Sequence, residues 1–205
     1  MSISGVLAWH PAVAMSPDEI DDFLSGRWVA RIATNGPGGY PNVTPVWYYW
    51  DGRCLYFNIA QSRATLKNLS RDARCSVVID MDERPLMGMR ANMAKAVLVI
   101  GDADLRPAGS SQKVRFESGP YAGEHPVDEA LGMINSRYGL TARDGAVGLT
   151  RESFRAMLQS DEIQDSQLRA DNADRVLVKV VPKKIRAWDF SKAPIGYGAP
   201  PRAES

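Results

Sequence analysis

The sequence predicts a mainly β, antiparallel fold with helical additions. Three observations carry that expectation. Strand-like runs follow one another in quick succession between Trp28 and Asp80, joined by the turn Asn35-Gly36-Pro37-Gly38-Gly39 and the hairpin signal Asp51-Gly52. These spacings are too short for crossover helices, so they indicate a meander or barrel and not βαβ units. Strand-like alternation stops at Leu105 and returns at Arg175, so a closing strand lies far along the chain.

The elements read in order as follows. Ser16-Pro17-Asp18-Glu19 has an N-cap, a proline at the first helical position and a capping-box glutamate. Ile20, Phe23 and Leu24 give this short helix an apolar face, and Gly26 ends it. Strands are expected at Trp28–Thr34, Asn42–Trp50, Cys54–Ala60, Arg74–Asp80 and Ala94–Leu105, with a short helix from Ser62 to Ser70 that turns Leu66 and Leu69 inward. Residues 107–172 change character, with helical patterns near 127–138 and 150–168, the second showing an apolar stripe of Phe154, Met157 and Leu158. Arg175–Val181 is a late strand, followed after Pro182 by Ile185–Phe190. A single domain over residues 16–192 with a helical insertion at about 107–172 follows, and the Pro/Gly-rich residues 193–205 read as an arm or frayed end.

Composition removes several classes of function. A chain of 205 residues that is 44% hydrophobic and 24% charged has the balance of an ordinary globular protein. Lys and Arg number 25 against 24 acidic residues, a net charge of +1. No global field exists to collect nucleic acid or an anionic membrane, so any anion site is local. No apolar stretch approaches a membrane span. The N-terminal residues lack a basic region ahead of their apolar run, so no export signal is expected. Cys54 and Cys75 each sit in an apolar run, which favours buried reduced thiols and a cytoplasmic setting. His10 and His125 have no metal-ligand spacing with them, and no zinc site is expected.

Two segments carry chemistry. Val43-Thr44-Pro45-Val46-Trp47-Tyr48-Tyr49-Trp50 is apolar or aromatic on both faces, whereas a half-exposed antiparallel strand alternates with polar residues. Both faces need cover. A flat aromatic cofactor, a partner subunit or a plain two-sided core would each supply it. Pro45 cannot donate to a ladder and marks an edge, a bulge or a ligand-facing position. The second segment is Gln61-Ser62-Arg63-Ala64-Thr65-Leu66-Lys67, the start of a helix. With Ser62 as N-cap, Thr65 falls at N3, and Arg63 and Lys67 stand at i, i+4 on one face. Free N–H groups, hydroxyls and two cations suit a phosphate. An ordinary capped helix with solvated basic residues would read the same way.

No other catalytic pattern competes. Neither histidine has a nucleophile motif around it. Gly36–Gly39 leads into a strand and is a hairpin turn, not a phosphate loop. Asp102-Ala103-Asp104 reads as a solvated strand end, and the Met81, Met87, Met89, Met93 cluster as a pliable lid or as loop packing.

The stretch RIATNGPGGYPNVTPVWYYWDGRCLYFNIAQSRATLKNLSRDARCSVVID, Arg31–Asp80, resembles the N-terminal core of the pyridoxamine 5'-phosphate oxidase-like family, and RVLVKVVPKKIRAWDFSK resembles its final strands. The resemblance implies a flavin-binding split β-barrel that forms a homodimer with two flavins at its interface. It implies FMN, or alternatively the deazaflavin coenzyme, and a flavin-dependent oxidoreductase acting on a small organic substrate, or a flavin-binding module without turnover. The ring system would lie against Val43, Thr44, Pro45, Val46 and Trp47, with Phe57 and Asn58 lining the same site. Ser62 and Arg63 match the phosphate turn. The Lys that follows in the family is Ala64 here, with Thr65 and Lys67 as its substitutes. Lys95 matches a position that reaches the flavin held by the partner. The chain lacks the Arg-Leu-x-Pro ending that grips the substrate of true pyridoxamine phosphate oxidases, so vitamin B6 oxidation is not expected.

Overall fold

The computed structural model describes residues 11–81, 94–138 and 174–192. Helix α1, Pro17–Leu24, carries the expected capping box: the Glu19 N–H donates to Ser16 Oγ at 3.2 Å, and the Ser16 N–H donates to the Glu19 carboxylate at 2.7 Å. Its apolar face, Ile20, Phe23 and Leu24, is buried. The Trp50 indole donates to Asp21 at 2.9 Å and ties the helix to the sheet.

Seven strands form one antiparallel sheet: β1 Ala30–Asn35, β2 Pro41–Val46, β3 Tyr49–Trp50, β4 Leu55–Ala60, β5 Arg74–Met81, β6 Lys95–Pro107 and β9 Arg175–Asp189. Their order is β2-β1-β5-β6-β9-β4-β3. β2 and β3 occupy opposite edges, yet only Trp47 and Tyr48 separate them in sequence. The sheet is therefore curled until its two edges meet. This is the antiparallel split β-barrel that the sequence led us to expect.

The single strand expected over Asn42–Trp50 is thus two strands with different partners. β2 pairs with β1, and β3 pairs with β4. The late strand departs in the opposite sense. β9 runs unbroken through Pro182, because a register shift at Ile100/Gly101 faces that proline and no ladder N–H is required there. Gly101 is required by contact: a Cβ at this position would lie 2.2 Å from the Val181 carbonyl oxygen.

Helix α2, Ala64–Arg71, follows β4 and buries Thr65, Leu66, Asn68 and Leu69. The part of the 107–172 segment that is described holds a hairpin, β7 Lys113–Phe116 with β8 Gly123–Pro126, followed by helix α3, Val127–Arg137. The helix was expected from the sequence; the hairpin was not. Val114 and Phe116 point inward between Lys113 and Arg115, a four-residue alternation too short to stand out. The pattern at 150–168, the methionines at 87, 89 and 93, and the tail from residue 193 lie outside the described residues.

Two cores result. One fills the barrel and contains Ile32, Leu55, Phe57, Val77, Val97, Val99, Val178 and Val180, with Cys75. The other lies on the outer face of β4 and β9 beneath the hairpin and α3, and contains Tyr49, Cys54, Tyr56, Phe116, Leu131, Ile134 and Leu177. Both cysteines are free and buried, and burial raises their thiols, Cys54 to about 11 and Cys75 to about 12.

Candidate functional site

A cleft of about 590 Å³ opens where β2, the end of β4, the start of α2, the start of β9 and the last turns of α3 converge. On β2, Thr44 and Val46 are half-buried, while Val43 is 59% exposed. Pro45 and Trp47 also line the cleft. Thr44 Oγ1 lies 2.8 Å from Thr65 Oγ1 and donates to Asn42 Oδ1 at 3.2 Å, which links the edge strand to the first turn of α2. Because β2 is an edge strand, Pro45 deprives no neighbour of a ladder donor.

Trp47 stands at the break between β2 and β3 and stacks on Tyr138, with ring centroids 5.1 Å apart and planes 9° from parallel. The Tyr138 hydroxyl accepts from the Tyr48 N–H at 3.2 Å and faces the carbonyls of Trp28 and Tyr48 at 3.0 and 3.1 Å. One phenol thereby satisfies backbone groups that the break leaves without a ladder. Burial pushes the Tyr138 phenol up, so it stays a neutral donor at ordinary pH.

Asn58 lines the opposite wall. Its Nδ2 donates to the Leu131 carbonyl at 3.3 Å and to Asn135 Oδ1 at 3.1 Å, so β4 is bonded to α3. Asn58 Oδ1 is buried and has no donor among the described residues. Ile134 and Asn135 also line the cleft, so α3 forms part of its wall. Among the described lining residues the charged ones are Arg63 and Arg175, and no carboxylate is present.

Of the residues singled out from sequence, the structure brings Thr44, Pro45, Val46, Trp47, Asn58, Arg63 and Thr65 to the cleft. Five lie elsewhere. Val43 is on the outer side of β2. Phe57 alternates to the barrel interior and is fully buried there. Ser62 is exposed in the turn before α2 and is not the cap. Arg63 holds the N-cap position with extended dihedrals (φ −69°, ψ 140°) and no side-chain cap bond, so Thr65 is the second helical residue and not the third. Lys67 is exposed, outside the set that lines the cleft. Lys95 is paired with Asp189 at 3.0 Å. Burial raises the Asp189 carboxyl, but hydrogen bonds from Ser191 and Lys95 outweigh it and hold it below its ordinary range. Val29, Ile134, Asn135 and Arg175 line the cleft without having been singled out. For Arg175 the sequence shows only that it opens the returning strand; its place opposite Ala60, at the end of β4, comes from the strand pairing.

The family model described as Pyridoxamine 5'-phosphate oxidase matches residues 16–131, more than half of the chain. The chain belongs to this family. Solved structures with similar folds include an F420 reductase, at 20% identity over 80% of this chain and 94% of that chain with a TM-score of 0.51. A conserved hypothetical protein from Mycobacterium tuberculosis matches at 22% identity, 96% of each chain and a TM-score of 0.56. The heme storage protein HutZ from Vibrio cholerae matches at 16% identity, 86% of this chain and 96% of that chain, with a TM-score of 0.50. At these identities the likeness shows a shared fold. The family match covers β1 to β8 and the first turns of α3; it stops before Ile134, Asn135 and Arg175, which complete the cleft. No described helix is long and apolar enough to cross a membrane.

Proposed function

We propose that this chain is an FMN-dependent oxidoreductase that works as a homodimer on a small organic substrate. The observation that carries the reading is the division of the cleft: Val46, Trp47 and Ile134 offer apolar and aromatic surface, while the charged residues among its described lining, Arg63 and Arg175, are both cationic. A planar ring with an anionic tail matches that division. Asn58 Oδ1 fits as well, because a ring N–H would supply the donor that no described residue does. When bound, the flavin supplies the hydride or electron transfer. The residues here hold and orient it, Arg63 and Thr65 at the tail and Thr44 to Trp47 along the ring.

The dimer is supported by the outward side of the sheet, where Val43, Ile100 and Val181 are exposed at 59%, 36% and 42%. Such a face gains from a second copy. In this reading Lys95, whose side chain is 32% exposed, reaches toward the flavin of the partner. The buried free thiols favour a reducing, cytoplasmic setting. Likeness in fold to an F420 reductase supports a second reading, the deazaflavin coenzyme in the same cleft.

The visible spectrum of the purified protein, with mass analysis of the released chromophore, tests both. FMN is the expected chromophore. A deazaflavin would select the second reading, and failure to bind either compound on reconstitution would reject both. Turnover of the bound flavin by a chemical reductant and an enone or quinone acceptor separates an enzyme from a binding module.

A further inference from the structure

We infer that Arg175 is the second phosphate-binding cation of the cleft, and that the pair Arg63–Arg175 selects a terminal phosphate monoester. The inference rests on the flavin reading and specifies which end of the cofactor this wall recognises.

Register places Arg175 there. It is directly opposite Ala60 on β4, so the two side chains leave the same face of the sheet. Asn58, two residues before Ala60, is on that face as well and forms the wall of the cleft. The methyl group of Ala60 leaves room above the end of β4, and Arg63 follows three residues later. The backbone around Arg175 is fixed on both sides: the Gln61 N–H donates to the Asp174 carbonyl at 2.9 Å, and the Ala108 N–H donates to the Arg175 carbonyl at 2.9 Å. Its side chain is half-buried and starts from an anchored strand.

The other candidates for a second charge are placed elsewhere. Lys67 is outside the cleft lining. Thr65 is uncharged, so its hydroxyl, 2.8 Å from that of Thr44, adds hydrogen bonding at the tail and no second charge. A phosphate monoester carries close to two negative charges at neutral pH. Two guanidiniums balance it, and each offers paired N–H donors matched to phosphate oxygens. A phosphodiester carries one charge and gains less from the second arginine.

The test compares FMN with riboflavin, which differ by that phosphate alone. The full chain, stripped of chromophore, is titrated with each. Arg175→Leu is expected to weaken FMN at least tenfold and to leave riboflavin within twofold, and Arg175→Lys to recover part of the loss. Arg175→Gln keeps a polar stem and is expected to show the same split should the leucine variant fail to fold. In wild type, the preference for FMN over riboflavin is expected to fall as pH drops through about 6, where the phosphate takes up a proton. Equal weakening of both ligands would make Arg175 structural and overturn the inference. Unchanged FMN affinity would overturn it as well. A wild-type chain that binds neither ligand would instead reject the flavin reading itself.

Discussion

Where β4 pairs with β9, both faces of the sheet are covered, and the two faces are built differently. The inner face packs Leu55, Phe57 and Ile59 against Val176, Val178 and Val180. It is aliphatic apart from one ring and contains no side-chain hydrogen bond. The outer face is aromatic: Phe116 meets Tyr49 at 4.9 Å and Tyr56 at 4.7 Å, both edge-on. A buried carboxylate holds that face together. Asp51 accepts from the N–H groups of Arg53, Cys54 and Glu117 at 2.9, 2.7 and 3.1 Å and from the Tyr56 hydroxyl at 2.8 Å. Burial and the neighbouring Asp51 charge keep the Tyr56 phenol neutral far above its ordinary range. The inner face closes the barrel by apolar area, which is tolerant of direction. The outer face fastens a hairpin and a helix in one orientation, which requires directional bonds. Where that helix ends, the cleft begins.

The largest expected effect breaks the inner face. Phe57→Ala should cost about 3–5 kcal/mol, as large-to-small changes in a fully buried site do, and should lower the stability of the whole chain in denaturant titrations. Asp51→Ala comes next. It strips four donors of their acceptor, at about 1–3 kcal/mol for each one left buried, and should loosen the outer layer before the barrel. The two thiols report the layers separately, since Cys54 belongs to the outer core and Cys75 to the inner. Thiol labelling of the Asp51→Ala variant in native buffer should accelerate at Cys54 and remain slow at Cys75. Equal acceleration at both would mean that the layers open as one unit.

The contrast also explains what could be read from sequence. Helix α1 was legible because the capping box, the proline and the apolar face all lie within nine residues. The aromatic stretch from Val43 to Trp50 was legible as unusual, but not its division, because an exchange of partner at Trp47–Tyr48 is a property of the whole sheet. Ser62 has the chemistry of a cap, but the helix begins one residue later, a shift that local preference does not resolve. Phe57 and Asn58 are adjacent, and only the side on which β9 and α3 pack decides that Asn58 meets the cleft while Phe57 fills the barrel. Arg175 enters through pairing with residues more than a hundred positions earlier, which no local pattern records.

Smaller effects sharpen the comparison at its boundary. Tyr138→Phe removes the hydroxyl at the β2–β3 break and keeps the ring against Trp47. A loss of about 0.5–1.5 kcal/mol in denaturant unfolding is expected, with Trp47 fluorescence little changed. Tyr138→Leu should also shift that fluorescence. The smallest effect concerns α1. A hydrogen bond from Lys192, followed by one from the Ser16 N–H, lowers the Glu19 carboxyl from 4.5 to about 2. A carboxylate depressed on folding stabilises above its unfolded value, and that contribution disappears as pH falls from about 4.5 toward 2. This pair is exposed, so the effect on stability is slight. Lys192→Ala should raise the Glu19 titration midpoint measured by NMR, with the barrel unaffected.

In the proposed reading the cleft between β2 and α3 holds a phosphorylated flavin by its tail. Equilibrium titration of the chromophore-free chain with FMN, followed by flavin fluorescence, tests it most directly when wild type and Arg63→Ala are compared. A charge-assisted contact of about 1.5–3 kcal/mol predicts at least a tenfold loss of affinity, since each decade corresponds to about 1.4 kcal/mol. Equal affinity in the two proteins would contradict the claim.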